Sequence, residues 1–444
     1  MPNPLNFFTA PHGNATPPEI DQQGKGEGTI LVTNVSKALT RCGEFLLYPG
    51  VPVQVPISFL ASYGATPNLS FDFSPMADHL RTRTDDGRPS FDFWCPLSGV
   101  DGYGRHGLAI WRGLGMIGAD ATLRSCGLEH LDSVPQMVID EKIRNQYRQP
   151  AKVSVAMTVP YDPKIHDTPS VTRIALTQFE TDTIPNRHVE RVNQADHLIV
   201  TSGFQPNVWR KSGLKIPIDV MTPGIDTEAF PFVERPTGGP FKVLILGALS
   251  SRKNVPGAIR IFQTASKGDP AWQLTIKSRG GRMLPEEYAA ISADPRITLV
   301  EGDVSEAGVR QLYESHHCLL WPSKGEGVGL PPMEAMSSGM EVVIADNSGM
   351  QDFVSSNWCW PIKTERMESA VGEGCYGAAY VARHGDVGQW WVPDEKHGAK
   401  QLTAAFDAWM DGKGKGPLAS KYIREHHTLQ HQAASVLRVV ERYL

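Results

Sequence analysis

The chain predicts an α/β protein: two Rossmann-like halves of parallel sheet facing a cleft, preceded by a small β-rich extension. Three observations point there. From Phe91 onward, apolar β-type runs alternate with helical stretches, the signature of parallel sheets flanked by helices. The series pauses at the turn-rich PTGGP segment, residues 236–240, and then starts again. The first ninety residues have a different texture, Pro- and Gly-rich with short β-type runs between turn signals.

Taken in order, TILVTNV, EFLLYPG and VPVQVPISFLASYG read as strands of the extension, and TRTDDGRPS, residues 82–90, reads as a linker. In the first half FDFWCPL is a buried strand and GRHGLAIWRGLGMIG an amphipathic helix, with ADATL, VSVAMTV, TRIALT and HLIVTS as further strands. In the second half FKVLILGAL, WQLTIKS, RITLVEG, HCLLWPS and MEVVIAD continue the pattern. The final YIREHHTLQHQAASVLRVVERYL has apolar residues at helical spacing and predicts a terminal helix docked on the body. The boundaries that follow are an extension and linker over 1–90, a first Rossmann-like domain over 91–237, a second over 238–415, and the C-terminal helix over 416–444. No repeat of 20–50 residues is visible, which disfavours a solenoid.

The chain has 444 residues, enough for about three domains. With 41% apolar and 20% charged residues and a net charge of −5, it is neither disordered nor polybasic. Nucleic acid then enters only as an acceptor held by a local basic patch. Six cysteines, Cys42, Cys95, Cys126, Cys318, Cys359 and Cys375, show no metal-ligand spacing and read as reduced, packed thiols. The start lacks a basic n-region and a long apolar run, and no stretch approaches the ~18 apolar residues of a membrane span, so a cytoplasmic location is expected.

The most informative stretch is PSKGEGVGLPPMEAMSSG, residues 322–339, where a strand enters a Gly-rich loop and then a helix opened by Pro331 and Pro332. Gly325, Gly327 and Gly329 permit close backbone approach, and a helix N-terminus offers N–H groups to an anion such as a diphosphate. Glu326 and Glu334 stand eight apart, one in the loop and one in the helix, where carboxylates accept from sugar hydroxyls, notably a ribose diol.

On these residues the segment PSKGEGVGLPPMEAMSSGMEVVIADNSGMQDFV resembles the donor-binding half of the retaining glycosyltransferases of family 4, with their E-x7-E motif. GALSSRKNV resembles that family's phosphate-binding Arg-Lys turn, and FETDTIPNRHVERVNQADHLIVTSGFQPNVWRKSGLKIPIDVMTPGIDTEAF the end of its first domain. The resemblance covers residues 91–360 and implies a GT-B fold. It also implies roles. Glu334 would bind the nucleotide ribose and Glu326 the transferred sugar, while the main-chain N–H groups of Val328, Gly329 and Leu330, with Gly327, would line the diphosphate and sugar. Arg252 and Lys253 would neutralise the departing diphosphate as its charge grows. The family often has Arg directly after the glycine of that strand, where this chain has Ala248, so Arg252 is the substitute.

SGVDGYGRHGLAI joins the first strand to the first helix, and its Gly102, Gly104 and Arg105 resemble the family loop that closes over the donor phosphates. Alone, such a loop equally fits a dinucleotide-binding turn, but it departs from G-x-G-x-x-G and no acidic residue follows on a defined second strand. Lys277, ending WQLTIKS, is placed by the parallel-sheet rule at the same cleft, with surface placement as the alternative. On the acceptor side His166, in VPYDPKIHD, and Glu180, in QFETD, follow two strands of the first domain; His166 fits a surface turn equally well. Asp226 and Glu228 read as organisers of the interdomain strand end. The pairs His316–His317 and His426–His427 cannot share a helix face, and the absence of any Asp-x-Asp leaves no metal expected.

The implied function is a retaining, metal-independent transferase that moves a sugar from a nucleotide-sugar, UDP- or GDP-linked, to an acceptor hydroxyl, with no bound cofactor. Glycan, small molecule, lipid carrier, protein or modified nucleobase stay open as acceptor. A sugar-nucleotide epimerase or phosphorylase on the same frame, or a catalytically silent sugar-binding protein, are the alternatives.

Overall fold

In a computed structural model, the structure describes residues 81–444 apart from 100–101, 146–147, 149, 166–170, 281–287, 290, 292 and 373–375, and only strand backbone before residue 81. The chain divides into two compact units, Met1–Met76 and Ala77–Leu444. In the first unit β1 (Thr29–Asn34) pairs antiparallel with β4 (Pro52–Pro56) and β5 (Leu69–Asp72), and β2 (Thr40–Cys42) pairs with β3 (Phe45–Leu47).

The second unit contains two six-stranded, wholly parallel sheets. The first is built from β6 (Ser90–Ser98), α1 (Gly102–Met116), β7 (Asp120–His130), α2 (Gln136–Asn145), β8 (Val153–Met157), β9 (Thr172–Thr177), α3 (Asn186–Val192), β10 (His197–Val200), α4 (Gln205–Lys211) and β11 (Ile218–Val220). Its strand order is β11-β10-β9-β8-β6-β7. Such strands must be apolar on both faces, because helices cover both. Accordingly VSVAM and HLIV are buried at every position.

The second sheet comes from β12 (Phe241–Leu246), α5 (Val255–Ser266), β13 (Trp272–Ser278), β14 (Ile297–Glu301), α6 (Glu306–Ser315), β15 (Cys318–Trp321), α7 (Leu330–Ser337), β16 (Glu341–Ala345) and β17 (Trp360–Ile362). The order β14-β13-β12-β15-β16-β17 is the doubly wound 3-2-1-4-5-6 arrangement. One face packs through Phe241, Phe262, Trp272 and Trp409, and the other through Leu319, Met333, Met336 and Ile423.

After β17 the chain makes an antiparallel hairpin of β18 (Thr364–Ser369) and β19 (Gln389–Pro393) around the short helix α8 (Ala378–His384). The sequence pattern gives no sign of this excursion, because it has no long apolar run there. Tyr376, Val387 and Trp390 from it join Tyr161, Phe179, Val189 and Trp209 of the first domain in one apolar cluster. α9 (Glu395–Met410) then covers the second sheet, α10 (Gly416–His426) packs on α7, and α11 (Leu429–Val440) lies against α1.

The C-terminal segment is therefore two helices, split at His427–Thr428. Thr428 caps the second with a reciprocal His431 contact. Ala433, Val436, Val439 and Val440 of α11 are inside the first-domain core with Phe91, Phe93 and Leu114. Val436 is fully buried, so Val436→Ala should cost about 2 kcal/mol by lost burial and a residual cavity. Urea unfolding of the full chain checks this; an unchanged midpoint would mean that α11 is not part of that core.

Candidate functional site

In a 3-2-1-4-5-6 sheet the helices after strands 1 and 4 leave on opposite faces, opening a crevice at the carboxyl ends of those two strands. Here they are β12 and β15. The turn after β12 carries Arg252 and Lys253, and the loop after β15 carries Glu326. Lys253 Nζ lies 2.6 Å from Glu326 Oε1, and Arg252 Nη1 lies 2.8 Å from Oε2 and 2.6 Å from the Gly325 carbonyl oxygen. Lys253 also sits 4.5 Å from the centroid of the Trp321 ring. Burial alone would raise the Glu326 carboxyl, but the Lys253 ammonium and the Arg252 guanidinium outweigh it and hold the group down at about 2. The result is a permanently ionised carboxylate fixing two cations at a topological switch point.

The Gly-rich loop is docked on the first domain. A methyl at Gly325 would collide with the carbonyl oxygen of Glu180, and one at Gly327 would lie 2.6 Å from Cδ of Gln178. Gln205 donates to the Gly327 carbonyl at 3.4 Å, and the single Thr201 hydroxyl proton faces both that carbonyl, at 3.1 Å, and Gln178 Oε1, at 2.9 Å. Nearby, Asp352 accepts twice from the Gly203 N–H, at 2.9 and 3.1 Å. From behind, the Glu326 N–H donates to Ser348 Oγ at 2.8 Å, and Asn347 Nδ2 donates to the Ser323 carbonyl at 3.1 Å. Ser348 adopts a positive φ of 47°, which brings its hydroxyl under the loop. These glycines thus serve interdomain contact as well as any ligand approach.

The facing wall is the β6–α1 junction. Gly104 packs without a side chain against Ser98, and Gly102 is exposed with open space around it. Arg105, in the first turn of α1, reaches across to the second domain and donates to Glu334 Oε1 at 2.7 Å. The other oxygen of Glu334 accepts from the Tyr313 hydroxyl at 2.8 Å. Glu334 holds the Arg105 guanidinium above its ordinary value; burial, reinforced by Glu334, pushes Tyr313 well above its own.

A cavity of about 360 Å³ lies between the walls, lined among others by Arg105, Arg252, Lys253, Glu326 and Gly329. A second, of about 740 Å³, adjoins it and shares Arg105 as lining, with Glu334, Arg112, Phe230 and Met137.

The crevice thus gathers Gly102 and Arg105 on one wall and Arg252, Lys253, Glu326, Gly327, Val328, Gly329 and Leu330 on the other, and Glu334 ion-pairs to Arg105 at its edge. Gly104 lies behind Arg105. Lys277 lines the cavity too, but its ammonium donates to the backbone carbonyls of Ser278, Val300 and Gly302, tying β13 to β14. Glu180 is at the edge of the cleft with its carboxylate bound by the Tyr376 hydroxyl at 2.5 Å. His166 falls outside the described residues. Asp226 caps its own turn and accepts from Arg112 at 2.8 Å; it precedes residue 238, but its neighbours Ile225 and Phe230 pack in the core of the second sheet, so the contact joins the two halves. Among the described residues no group of three or more His, Cys, Asp or Glu side chains converges as for a metal ion, and Cys95, Cys126, Cys318 and Cys359 are buried free thiols. Reading the sequence missed Tyr313, Gln178, Thr201, Gln205 and Ser348. Only Ser348 had a local signal, the NSG turn after β16.

Residues 226–371 match the family model described as glycosyl transferases group 1. No curated protein matches the chain. Among solved structures, it is similar to HepE from Anabaena in complex with UDP and glucose, at 12% identity and TM-score 0.55, over 80% of this chain and 99% of that one. It is likewise similar to a sucrose-phosphate synthase from Thermosynechococcus elongatus, at 13% identity and TM-score 0.54, over 80% and 99%. The fold is GT-B. TarM, known from S. aureus, is matched at 14% identity and TM-score 0.50, over 65% of this chain and 54% of TarM, so the chain spans about half the length of that relative. Within this GT-B frame the group 1 match covers β12 to β18 and hence the whole Arg252–Lys253–Glu326 cluster.

Two outcomes follow from the geometry. Gly325→Ala should destabilise the chain by about 3 kcal/mol, because the methyl meets a backbone carbonyl that cannot turn away; an unaltered melting temperature would refute the docked loop. Glu326 titrates at about 2 in the fold against an ordinary 4.5, so its contribution to stability is complete above the higher value and is lost as pH falls toward the lower one. The gap in melting temperature between wild type and Glu326→Gln should therefore narrow on acidification, and a constant gap would refute the pairing.

Proposed function

We propose that the chain is a retaining glycosyltransferase that takes a sugar from a nucleotide-sugar in the cleft and transfers it to an acceptor hydroxyl without a metal ion. The observation that carries this reading is the Arg252–Lys253–Glu326 cluster at the switch point of the second sheet, inside the segment matched to glycosyl transferases group 1. The UDP and glucose in the HepE structure support a UDP-hexose as the first donor to test, with GDP-sugars second.

In this reading the leaving diphosphate docks against Arg252 and Lys253. As the bond to the sugar lengthens, negative charge collects on the phosphate oxygen, and two preset cations in a largely dehydrated wall stabilise it without reorganisation. Glu326 plays a matching part, because once the diphosphate shares the cations, its oxygens turn to hydroxyls of the sugar. The backbone at Val328, Gly329 and Leu330, at the start of α7, adds N–H dipoles toward the same charge. Glu334 accepts from the ribose. Gln178 and Glu180 form the first-domain edge where the acceptor enters, and the acceptor proton passes to the donor phosphate, which keeps attack and departure on one face and retains configuration.

The test is nucleotide release and product analysis with UDP- and GDP-sugars against a panel of hydroxylated acceptors, with and without EDTA. Lys253→Ala should lower kcat by about 100-fold with a smaller change in donor affinity, the mark of a contact that strengthens in the transition state. Equal losses in both would reduce Lys253 to ground-state binding. An inverted product, or strict dependence on added metal, would overturn the retaining or the metal-independent part.

A further inference from the structure

Five cationic side chains line the smaller cavity: Lys277 is taken up by backbone carbonyls, Arg279 is exposed, and three, Arg252, Lys253 and Arg105, are paired with carboxylates of the second domain. Glu326 holds Arg252 and Lys253, and Glu334 holds Arg105. The first pairing is local to one domain. The second crosses the cleft, from the first turn of α1 to the middle of α7, and it occupies the carboxylate that the proposed function gives to the ribose. The Glu334 side chain is only 4% exposed and each of its oxygens already accepts from a side chain, Arg105 on one and Tyr313 on the other, so a ribose diol that reaches it competes for the little open space with the donor on the cavity side. Tyr313 is fully enclosed, whereas the Arg105 side chain is 30% exposed and is the donor able to move.

We propose that Arg105 is a positioning residue that couples ribose recognition to diphosphate recognition: the diol takes its place on Glu334, and the released guanidinium turns to the diphosphate beside Arg252 and Lys253. This inference rests on the ribose and diphosphate assignments above. It makes the cavity selective for ligands that carry both groups. A sugar phosphate or inorganic diphosphate, lacking the diol, meets a cavity in which the third cation stays with Glu334. A bare nucleoside must break an ion pair and offers nothing to the cation it releases. Only a nucleoside diphosphate exchanges one charged partner for another.

The residues around Arg105 fit such an exchange. His106 is turned inward, where the Gln432 side chain of α11 hydrogen-bonds to its ring at 2.5 Å, so it does not compete for Glu334. Arg112, two turns further along α1, is paired with Asp226 at 2.8 Å and holds the helix to the second domain independently of Arg105. Loss of the Arg105 pair therefore leaves a second tie across the cleft.

The experiment is calorimetry of wild type, Arg105→Ala, Arg105→Lys and Glu334→Ala with uridine, UDP and inorganic diphosphate, and with guanosine and GDP. Arg105→Ala should bind nucleoside about fivefold more tightly and nucleoside diphosphate about tenfold more weakly, opposite signs that a merely structural role does not produce. Arg105→Lys, which keeps the charge but not the planar fork, should lie between. Changes of equal sign and size for nucleoside and diphosphate, or none, would overturn the coupling. Glu334→Ala tests the underlying reading separately: nucleoside affinity unchanged in that variant would remove the ribose from Glu334 whatever Arg105 does. Nucleoside affinity lost in Glu334→Ala but unaltered in Arg105→Ala would leave the ribose assignment standing and remove only the exchange.

Discussion

The Glu326 carboxylate, enclosed between Arg252 and Lys253, is the interaction on which the cleft depends. Two cations beside each other in a buried wall repel and are costly to dehydrate, and one shared anion makes the arrangement tolerable. The constraint runs outward from that anion. Glu326 must stay ionised, so both cations must reach it. The loop that carries it must hold its place, so its backbone is tied to Ser348 and Asn347 behind and to Thr201 and Gln205 in front, with Gln178 packed against Gly327. In the proposed reading, a site that receives an anion is built around one that the ligand must partly replace.

That requirement explains why two domains meet so closely on one side of the cleft. The Gly-rich loop contacts the first domain through backbone, and the β18–α8–β19 excursion reinforces it. There Tyr376 bonds Glu180 and stacks on Phe179, while the Tyr380 hydroxyl and the His188 ring share a hydrogen bond at 3.1 Å. On the other side the links are two ion pairs, Arg105–Glu334 and Arg112–Asp226, with α11 returning to α1 beyond them. Apolar packing is hard to reverse without exposing area, whereas a partly exposed ion pair is exchanged for another charged partner at small cost. The asymmetry assigns rigidity to the loop side and adaptability to the Arg105 side.

The parallel sheets and the switch-point residues were legible in the sequence because their cause is local. Apolar runs such as VSVAM and HLIV have few alternatives to buried strands, and a strand running into KGEGVGLPP has few alternatives to a tight turn at the strand's carboxyl end, where it lines the cavity. Gly325 and Gly327 were legible as glycines, but not their reason, since the atoms that exclude a side chain belong to residues 178 and 180, far away in the chain. Tyr313 was illegible for the same cause: a tyrosine on an amphipathic helix looks like core until its hydroxyl is found on Glu334. Lys277 shows the converse. The strand rule placed it at the cleft, yet three carbonyls compete for its ammonium, and no spacing in the sequence encodes that competition.

The chemistry of the two glutamates follows from this difference in partners. Glu326 is paired within its own domain, so its charge is fixed before any domain contact and does not depend on Arg105. Glu334 is paired to a residue 229 positions away on the opposite domain. A carboxylate held locally serves as a permanent electrostatic part of the wall. One held across the cleft reports on the position of the facing domain, and any ligand that binds it changes how that domain is tied. The spacing of eight between them places a constant element and a variable one on the same loop and helix. Binding at the variable one can then alter the charge presented beside the constant one without moving the scaffold that carries both.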